Sequence, residues 1–553
     1  MDSLDRQFNL KIIGQHFQTS NPCLVRNLKY VDQACRNISS FWNEYDYGHV
    51  KANGFRSFVK KCNLYFENMK ILVEDDNDPK LLQGYVSLLP AFVRQVKVLE
   101  FVRQKDAYGH HDKTRFYFPE DNSIIQTLLS FTDEEVKPMY TQPGAFWLDP
   151  GAADLNTNLC YTILFTNSSW SEKAKLLLNP SYFADKVVHM IQNHDVDSIR
   201  DISRLASYFP FNAIVAVARY VRGTTSEYTD LPKQGQWLFQ LDHPYNPVRI
   251  ERRSDAAEVN RGSVKCLVIK STAGNCNTLI LHVHGSGYVA MTPADHETYL
   301  RSWSKKLNAA IVAPDYGKAP ENQYPSGLQD LLDVYLHLTN SDVTGVLGFQ
   351  PTRIYLTGDS AGGNMAMSLL TALNETKRRM GGEVIMPMGV CLQCPLANVL
   401  GYPASCAQTC LDIVLPSTMT MTVASSYAKT EPEVEVTWFR REGLSLQMIQ
   451  EIVQSWTPRV QDPYFNLLAY DKWDELRDIP LQIQVGEFDA LLDNGIEIAK
   501  RWKGSVTLDV LESMPHSFLF LPTARKEAEL VVQRLKQLIH SELDENENIV
   551  IAK

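Results

Sequence analysis

Residues 354–364, IYLTGDSAGGN, constrain this chain more than any other stretch. A short apolar run of strand type, Ile354, Tyr355 and Leu356, turns through Gly358, Asp359, Ser360, Ala361 and Gly362. It then enters Met365, Ala366, Met367, Ser368, Leu369 and Leu370, which read as a helix. A serine with glycine two residues away on each side, between strand and helix, fits a nucleophile elbow. Such a turn strains the serine backbone, and a Cβ at Gly358 or Gly362 would clash with the neighbouring strand and helix. What it gains is a hydroxyl held at the top of a sheet, beside a helix N-terminus that favours negative charge. G-x-S-x-G alone is weak, because an ordinary Gly-rich strand–helix turn gives the same pattern. The rest of the chain has to supply what such a serine needs.

The chain has 553 residues, which at about 150 per domain allows two to four domains with ample core. Its formal net charge of −10 argues against a nucleic-acid partner and gives no electrostatic reason to seek anionic lipid. Met1, Asp2, Ser3, Leu4 and Asp5 open the chain acidic with no apolar run behind them, so no secretory signal is expected. No run of about 18 uncharged apolar residues appears, so no spanning helix is expected. Ten scattered cysteines fit a reducing cytosol better than a disulfide framework. The sequons at Asn37, Asn167 and Asn374 then read as chance matches.

Two halves differ in texture. Residues 1–225 read as a mainly α-helical domain, with Leu81, Leu82, Val86, Leu88, Leu89, Phe92, Val93 and Val96 recurring at helical spacing, broken by Pro90. Ile199, Ile202, Leu205, Ile214 and Val217 continue the pattern later. Phe8, Ile12, Ile13 and Phe17 predict an amphipathic first helix, turned toward a core rather than a lipid surface. No catalytic signature appears in this half, which reads as a scaffold or recruitment domain. Residues 226–263 form a polar connection with Pro232, Pro244 and Pro247. From 264 to 541 short apolar runs alternate with helical stretches. The runs are 264–269, 278–284, 309–313, 353–356, 388–392, 481–485 and 506–511; helices fit at 296–307, 326–339, 361–378, 493–503 and 524–541. That alternation predicts an α/β domain with a largely parallel sheet. The tail, residues 542–553, opens acidic and should fray.

A serine hydroxyl needs a base, and the base needs an orienting carboxylate. In this topology they follow in the order Ser, Asp or Glu, His, each after a strand. Residues 481–485 lead into Gly486, Glu487, Phe488 and Asp489, and residues 506–511 lead into Met514, Pro515 and His516. His516 would relay the Ser360 proton, and Asp489 would hold the imidazole. Asp493 is the rival carboxylate, placed in the first turn of the following helix, where a dipole role suffices. Oxyanion donors should come from the amide of Ala361 and, in the loop after residues 278–284, from those of Ser286 and Gly287. His284, with Gly285 beside it, reads as a brace for that loop. Cys391, Cys394, Cys406 and Cys410 have a spacing zinc could use, but Cys391 and Cys394 lie on a predicted strand and point to opposite faces. They read as buried structural cysteines; no metal or cofactor is expected.

HVHGSGYVAMTPADHETYLRSW, DYGKAPENQYP, GDSAGGN and MPHSFL together resemble the hormone-sensitive lipase family, whose matching segments are an HGGG loop, DY-x-x-AP-E, GDSAGGN and LPHGFL. Order and spacing agree across residues 264–522. The first half also looks like the N-terminal helical domain of the animal lipase, at NGFRSF (53–58) and FWLDP (146–150). The resemblance implies an α/β-hydrolase fold and a cytosolic hydrolase of acylglycerols, cholesteryl esters and retinyl esters at lipid-droplet surfaces. It also implies homodimerisation and a fatty-acid-binding partner. Ser286 departs from the family's glycine, and Ala490 from its proline. Residues 401–466 are short where longer members carry a phosphorylated insert, and Arg440, Arg441 and Ser445 miss the Arg-Arg-x-Ser spacing. Leu411, Ile413, Val414 and Leu415 in that span read as part of a cap over an acyl site. The competing readings are a soluble esterase for short acyl esters, a binding protein on the same fold, and a scaffold.

Overall fold

The computed structural model describes residues 3–75, 79–107, 169–179, 182, 186, 193–197, 199–200, 223–240, 248–252, 262–273, 277–380, 384–399, 401–409, 414–415, 417–428, 438–440, 459–521 and 524–540. The motif at 146–150, the apolar positions from Ile202 to Ala218, Cys410, Leu411, Ile413, Arg441, Ser445 and the tail 542–553 lie outside the described residues.

Four helices open the chain: α1 (Ser3–Phe17), α2 (Pro22–Phe41), α3 (Gly54–Asp75) and α4 (Pro79–Ala107). Asn21 caps α2 through its Oδ1, which accepts the Leu24 N–H at 3.0 Å, and Pro22 fits the first helical position. Helix α1 turns Ile13 inward and leaves Phe8 59% exposed; Arg6 is buried against Asp32 at 2.7 Å. Pro90 does not break α4. Leu88, Leu89, Ala91 and Phe92 around it are all buried, so packing outweighs one lost hydrogen bond.

After α5 (Trp170–Leu178) come β1 (Asn193–Asp195), β2 (Thr224–Pro232), β3 (Trp237–Gln240), β4 (Arg249–Arg252) and β5 (Ser263–Ser271). The span 226–263, read as a connection, therefore carries most of β2 and two further strands. β2 pairs antiparallel with β5 along its whole length. Only Leu231 of its nine residues is buried, which is why an edge strand rich in Thr, Glu and Asp gives no apolar signal. Residues 193–195 likewise leave the helical half, pairing with β10 (Trp438–Arg440).

The α/β part continues with β6 (Thr278–Val283), α6 (Pro293–Leu307), β7 (Ala310–Pro314), α7 (Ser326–Asn340), β8 (Arg353–Asp359), α8 (Ala361–Met380), β9 (Gly389–Gln393), α9 (Ala404–Gln408) and α10 (Ser417–Tyr427). It ends with β11 (Leu481–Gly486), α11 (Leu492–Arg501), β12 (Val506–Leu511) and α12 (Arg525–His540). The eight-stranded sheet runs β12-β11-β9-β8-β6-β7-β5-β2, parallel from β12 to β7. β6, β9 and β11 are buried at every position; β6 is mostly apolar, whereas β11 buries Gln482 and Gln484 between its apolar residues, with Gln484 hydrogen-bonded to Gln393 and Asp509. The order reverses at β6, and the strand ends there form the crevice in which such sheets hold their sites. One apolar core joins Phe58 and Val59 of α3, Ala404 and Ala407 of α9, and Leu281 of β6. Among the described residues no helix is long and apolar enough to cross a membrane.

Candidate active site

Four loops meet at the carboxyl edge of the sheet. Registers Val283↔Gly358, Asp359↔Gln393 and Gly486↔Leu511 bring the chain after β6, β8, β11 and β12 to one level. Ser360 follows β8 at φ +55, a left-handed conformation that costs an L-residue about 1–3 kcal/mol. Its N–H donates to the Gln393 carbonyl at 2.9 Å, and its carbonyl accepts from Leu396 at 3.2 Å, so the strain is held from both sides. A Cβ on Gly362 would lie 2.1 Å from the Val283 carbonyl oxygen, and one on Gly358 2.5 Å from that of Gly362.

The Ser360 hydroxyl donates to His516 Nε2 at 2.9 Å, and His516 Nδ1–H donates to both Asp489 oxygens at 2.9 and 3.0 Å. Asp489 is fully buried and His516 is 4% exposed, while Ser360 is half-buried. The loops that carry the pair are tied together, since Phe488 N–H donates to the Met514 carbonyl at 3.0 Å. A Cβ on Gly486 would come within 2.3 Å of that carbonyl.

Asp493 stands elsewhere. One of its oxygens accepts Gly54 N–H and the other Ser405 N–H, each at 2.8 Å. It therefore caps the starts of α3 and α9, and burial raises its carboxyl above the ordinary range.

The loop after β6 carries Gly285, Ser286 and Gly287. Gly285 N–H is committed to Asp359 Oδ1 at 3.0 Å. A Cβ on Gly287 would meet Val423 of α10 at 2.7 Å, so this helix lies directly on the loop. Tyr288 stacks on Tyr427 at 3.8 Å. Val414 and Leu415 are partly buried against the same core. His284 Nδ1–H donates to the Gly285 carbonyl at 2.9 Å and its ring stacks on Tyr316 at 4.4 Å; burial pushes its pKa well down.

Ser286 holds φ +152, a region that glycine enters at little cost. Ser286→Gly should therefore raise stability by about 1 kcal/mol, read as a higher denaturant midpoint. An unchanged or lower midpoint would mean that the serine side chain offsets its own strain.

Sequence reasoning passed over the layer beneath this loop. Thr357 Oγ1–H donates to His282 Nδ1 at 2.9 Å. His282 Nε2–H and His296 Nδ1–H donate to the Tyr299 hydroxyl at 3.2 and 2.7 Å, and that hydroxyl donates to Asp359 Oδ1 at 3.3 Å. Burial alone would raise the Asp359 carboxyl, yet the His296 and His282 rings and the Gly285 N–H hold it below the carboxylate range. These residues are scattered over β6, α6 and β8, and only the sheet registers bring them together. His282, His296 and Asp359 also have the composition of a metal site, but the Tyr299 hydroxyl sits among their ligand atoms. Cys394, Asp489 and His516 form a second such group, in which the last two are engaged with each other. Cys394 lies just beyond β9 at φ +46 rather than on the strand, and Cys406 Sγ–H donates to the Ala490 carbonyl.

This fold is that of an α/β-hydrolase domain. Residues 280–520 match the family model described as the alpha/beta hydrolase fold. The chain is 34% identical over 163 residues to hormone-sensitive lipase of Bos taurus, covering 29% of this chain and 20% of that protein. It is 24% identical over 265 residues to carboxylic ester hydrolase LipN of Mycobacterium tuberculosis, covering 47% of this chain and 62% of that one. Among solved structures it is similar to a hyperthermophilic esterase from Pyrobaculum calidifontis, with a TM-score of 0.45 and 20% identity over 62% of this chain and 93% of that one. The likeness supports a hormone-sensitive-lipase-like α/β hydrolase and covers a fifth of the bovine lipase's length, so it does not single out the animal lipase.

Proposed function

We propose that this chain is a serine hydrolase of carboxylic esters whose substrates are neutral lipids: acylglycerols, cholesteryl esters and retinyl esters. The observation that carries the chemistry is the continuous relay Ser360–His516–Asp489 at hydrogen-bond distance. As His516 Nε2 takes the hydroxyl proton, Ser360 Oγ attacks the ester carbonyl. Asp489 fixes the tautomer and stabilises the imidazolium. The amides of Ser286, Gly287 and Ala361 receive the oxyanion, and the intermediate collapses with the proton passing from Nε2 to the leaving alcohol. Water, activated by the same imidazole, then releases the fatty acid from the acyl-serine.

The neutral-lipid part rests on the resemblance to hormone-sensitive lipases and on an apolar roof of Val423 over Gly287 and Tyr427 over Tyr288. Such a roof excludes water and suits long acyl chains. A cytosolic location, droplet docking, a fatty-acid-binding partner and a homodimer are expectations of the resemblance alone. A short-acyl esterase is the second reading, favoured by the crowding of Gly287 by α10 and by the extra side chain at Ser286. Purified protein should hydrolyse emulsified diacylglycerol and cholesteryl oleate as well as p-nitrophenyl butyrate, with Ser360→Ala as the blank. Turnover of the butyrate alone would select the short-acyl reading. No turnover of any of the three would overturn the hydrolase reading in favour of a binding protein.

A further inference from the structure

Helix α3 of the first half reaches the two loops that hold Asp489 and His516. Lys60 Nζ donates to Glu487 Oε1 and Oε2 at 2.9 and 2.7 Å and to Glu512 Oε1 at 3.1 Å. One ammonium thus bridges the loop after β11, two residues before Asp489, and the loop after β12, four before His516. The Ser57 hydroxyl, one turn earlier on α3, lies 2.7 Å from the Glu487 carbonyl oxygen. Glu487 Oε2 in turn accepts the Ser513 N–H at 3.0 Å. The Lys60 ammonium also lies 5.9 Å from the Phe488 ring centroid. At its N-terminus α3 is pinned by Asp493 through Gly54, where a Cβ would lie 2.0 Å from Ser405 N.

We propose that Lys60 is a positioning residue for ester hydrolysis, holding the acid–base pair in register with Ser360 through Glu487 and Glu512. The first half of the chain is then part of the catalytic geometry as well as a scaffold. This rests on the hydrolase reading above. The physical case is that a relay of two hydrogen bonds tolerates little displacement, and a shift of about 1 Å can cost as much as 100-fold in rate. The ammonium draws together two carboxylates on separate loops; without it they repel across the seam. Lys60 is a third exposed and Glu487 less so, so the pair adds little to global stability and its effect is local.

The test compares Lys60→Met and Lys60→Arg with the wild-type chain on p-nitrophenyl butyrate, with Ser360→Ala as the blank. Lys60→Met is expected to lower kcat on the order of tenfold with KM nearly unchanged. The acid limb of its kcat/KM profile should move to higher pH, because Glu487 and Glu512, no longer paired, favour the imidazolium. Lys60→Arg should recover most of the rate and the profile, with all melting temperatures within a few degrees. A kcat within twofold of wild type for Lys60→Met, or a loss that follows the melting temperature with no shift of the profile, would overturn the proposal and leave the hydrolase reading standing. An inactive wild-type chain would instead fail that reading itself.

Discussion

Ser360→Ala is expected to lower kcat on the order of 10^6-fold while leaving the melting temperature nearly unchanged. The stability part follows from the backbone. Alanine at φ +55 bears the same strain as serine, and the amide and carbonyl bonds to Gln393 and Leu396 do not involve the side chain. The rate part follows because the Ser360 hydroxyl is the group hydrogen-bonded to His516 Nε2 at 2.9 Å, and alanine leaves no oxygen there to attack an ester. Asp489→Asn should lose about 10^4-fold, since an amide favours the imidazole tautomer with the proton on the wrong nitrogen. Steady-state kinetics with burst titration of the acyl-enzyme check both. Activity within tenfold of wild type in Ser360→Ala would refute the assigned nucleophile.

Asp493→Ala should show the opposite profile. Two backbone N–H groups, those of Gly54 and Ser405, would lose their acceptors inside the core, at a total of about 3 kcal/mol. Well below the lowered midpoint, kcat should stay within about tenfold of wild type, because both oxygens of this carboxylate are committed to Gly54 and Ser405 rather than to the imidazole. Part of the loss is returned above the ordinary carboxylate range, since burial raises the Asp493 pKa and its ionised form is disfavoured in the fold. The wild-type contribution of Asp493 is thus fully present below the unfolded pKa of about 4 and declines as pH rises through the raised folded value. Denaturant unfolding of Asp493→Ala and wild type at pH 4 and pH 8 reads this directly. A smaller gap at pH 4 than at pH 8 would reverse the sign. If Asp493→Asn proves more damaging to turnover than Asp489→Asn, the carboxylates have been exchanged.

Much of the fold was legible because its strands are buried on both faces. The apolar runs at 278–284, 353–356, 481–485 and 506–511 coincide with β6, β8, β11 and β12 to within three residues at any end. The elbow extends its run through Gly358 and Asp359, which carry no apolar signal but remain in register with β6 and β9. β2 was illegible for the converse reason, since an edge strand with one buried residue has no period to read. Pro90 misled because a local rule yields to neighbours that are all buried. The relay residues were placed by chain order, strand then loop. The Tyr299 hub and the Lys60 bridge were invisible because their partners lie up to 452 residues away in sequence, and no local pattern encodes such a pairing.

Ser360 and the imidazole it is hydrogen-bonded to are 156 residues apart, and β12, which leads to that imidazole, is the last strand of the sheet among the described residues. During synthesis the serine therefore leaves the ribosome long before its base does. On the proposed relay, ester cleavage would be among the final properties the polypeptide acquires, and a product truncated before Val506 would lack its base.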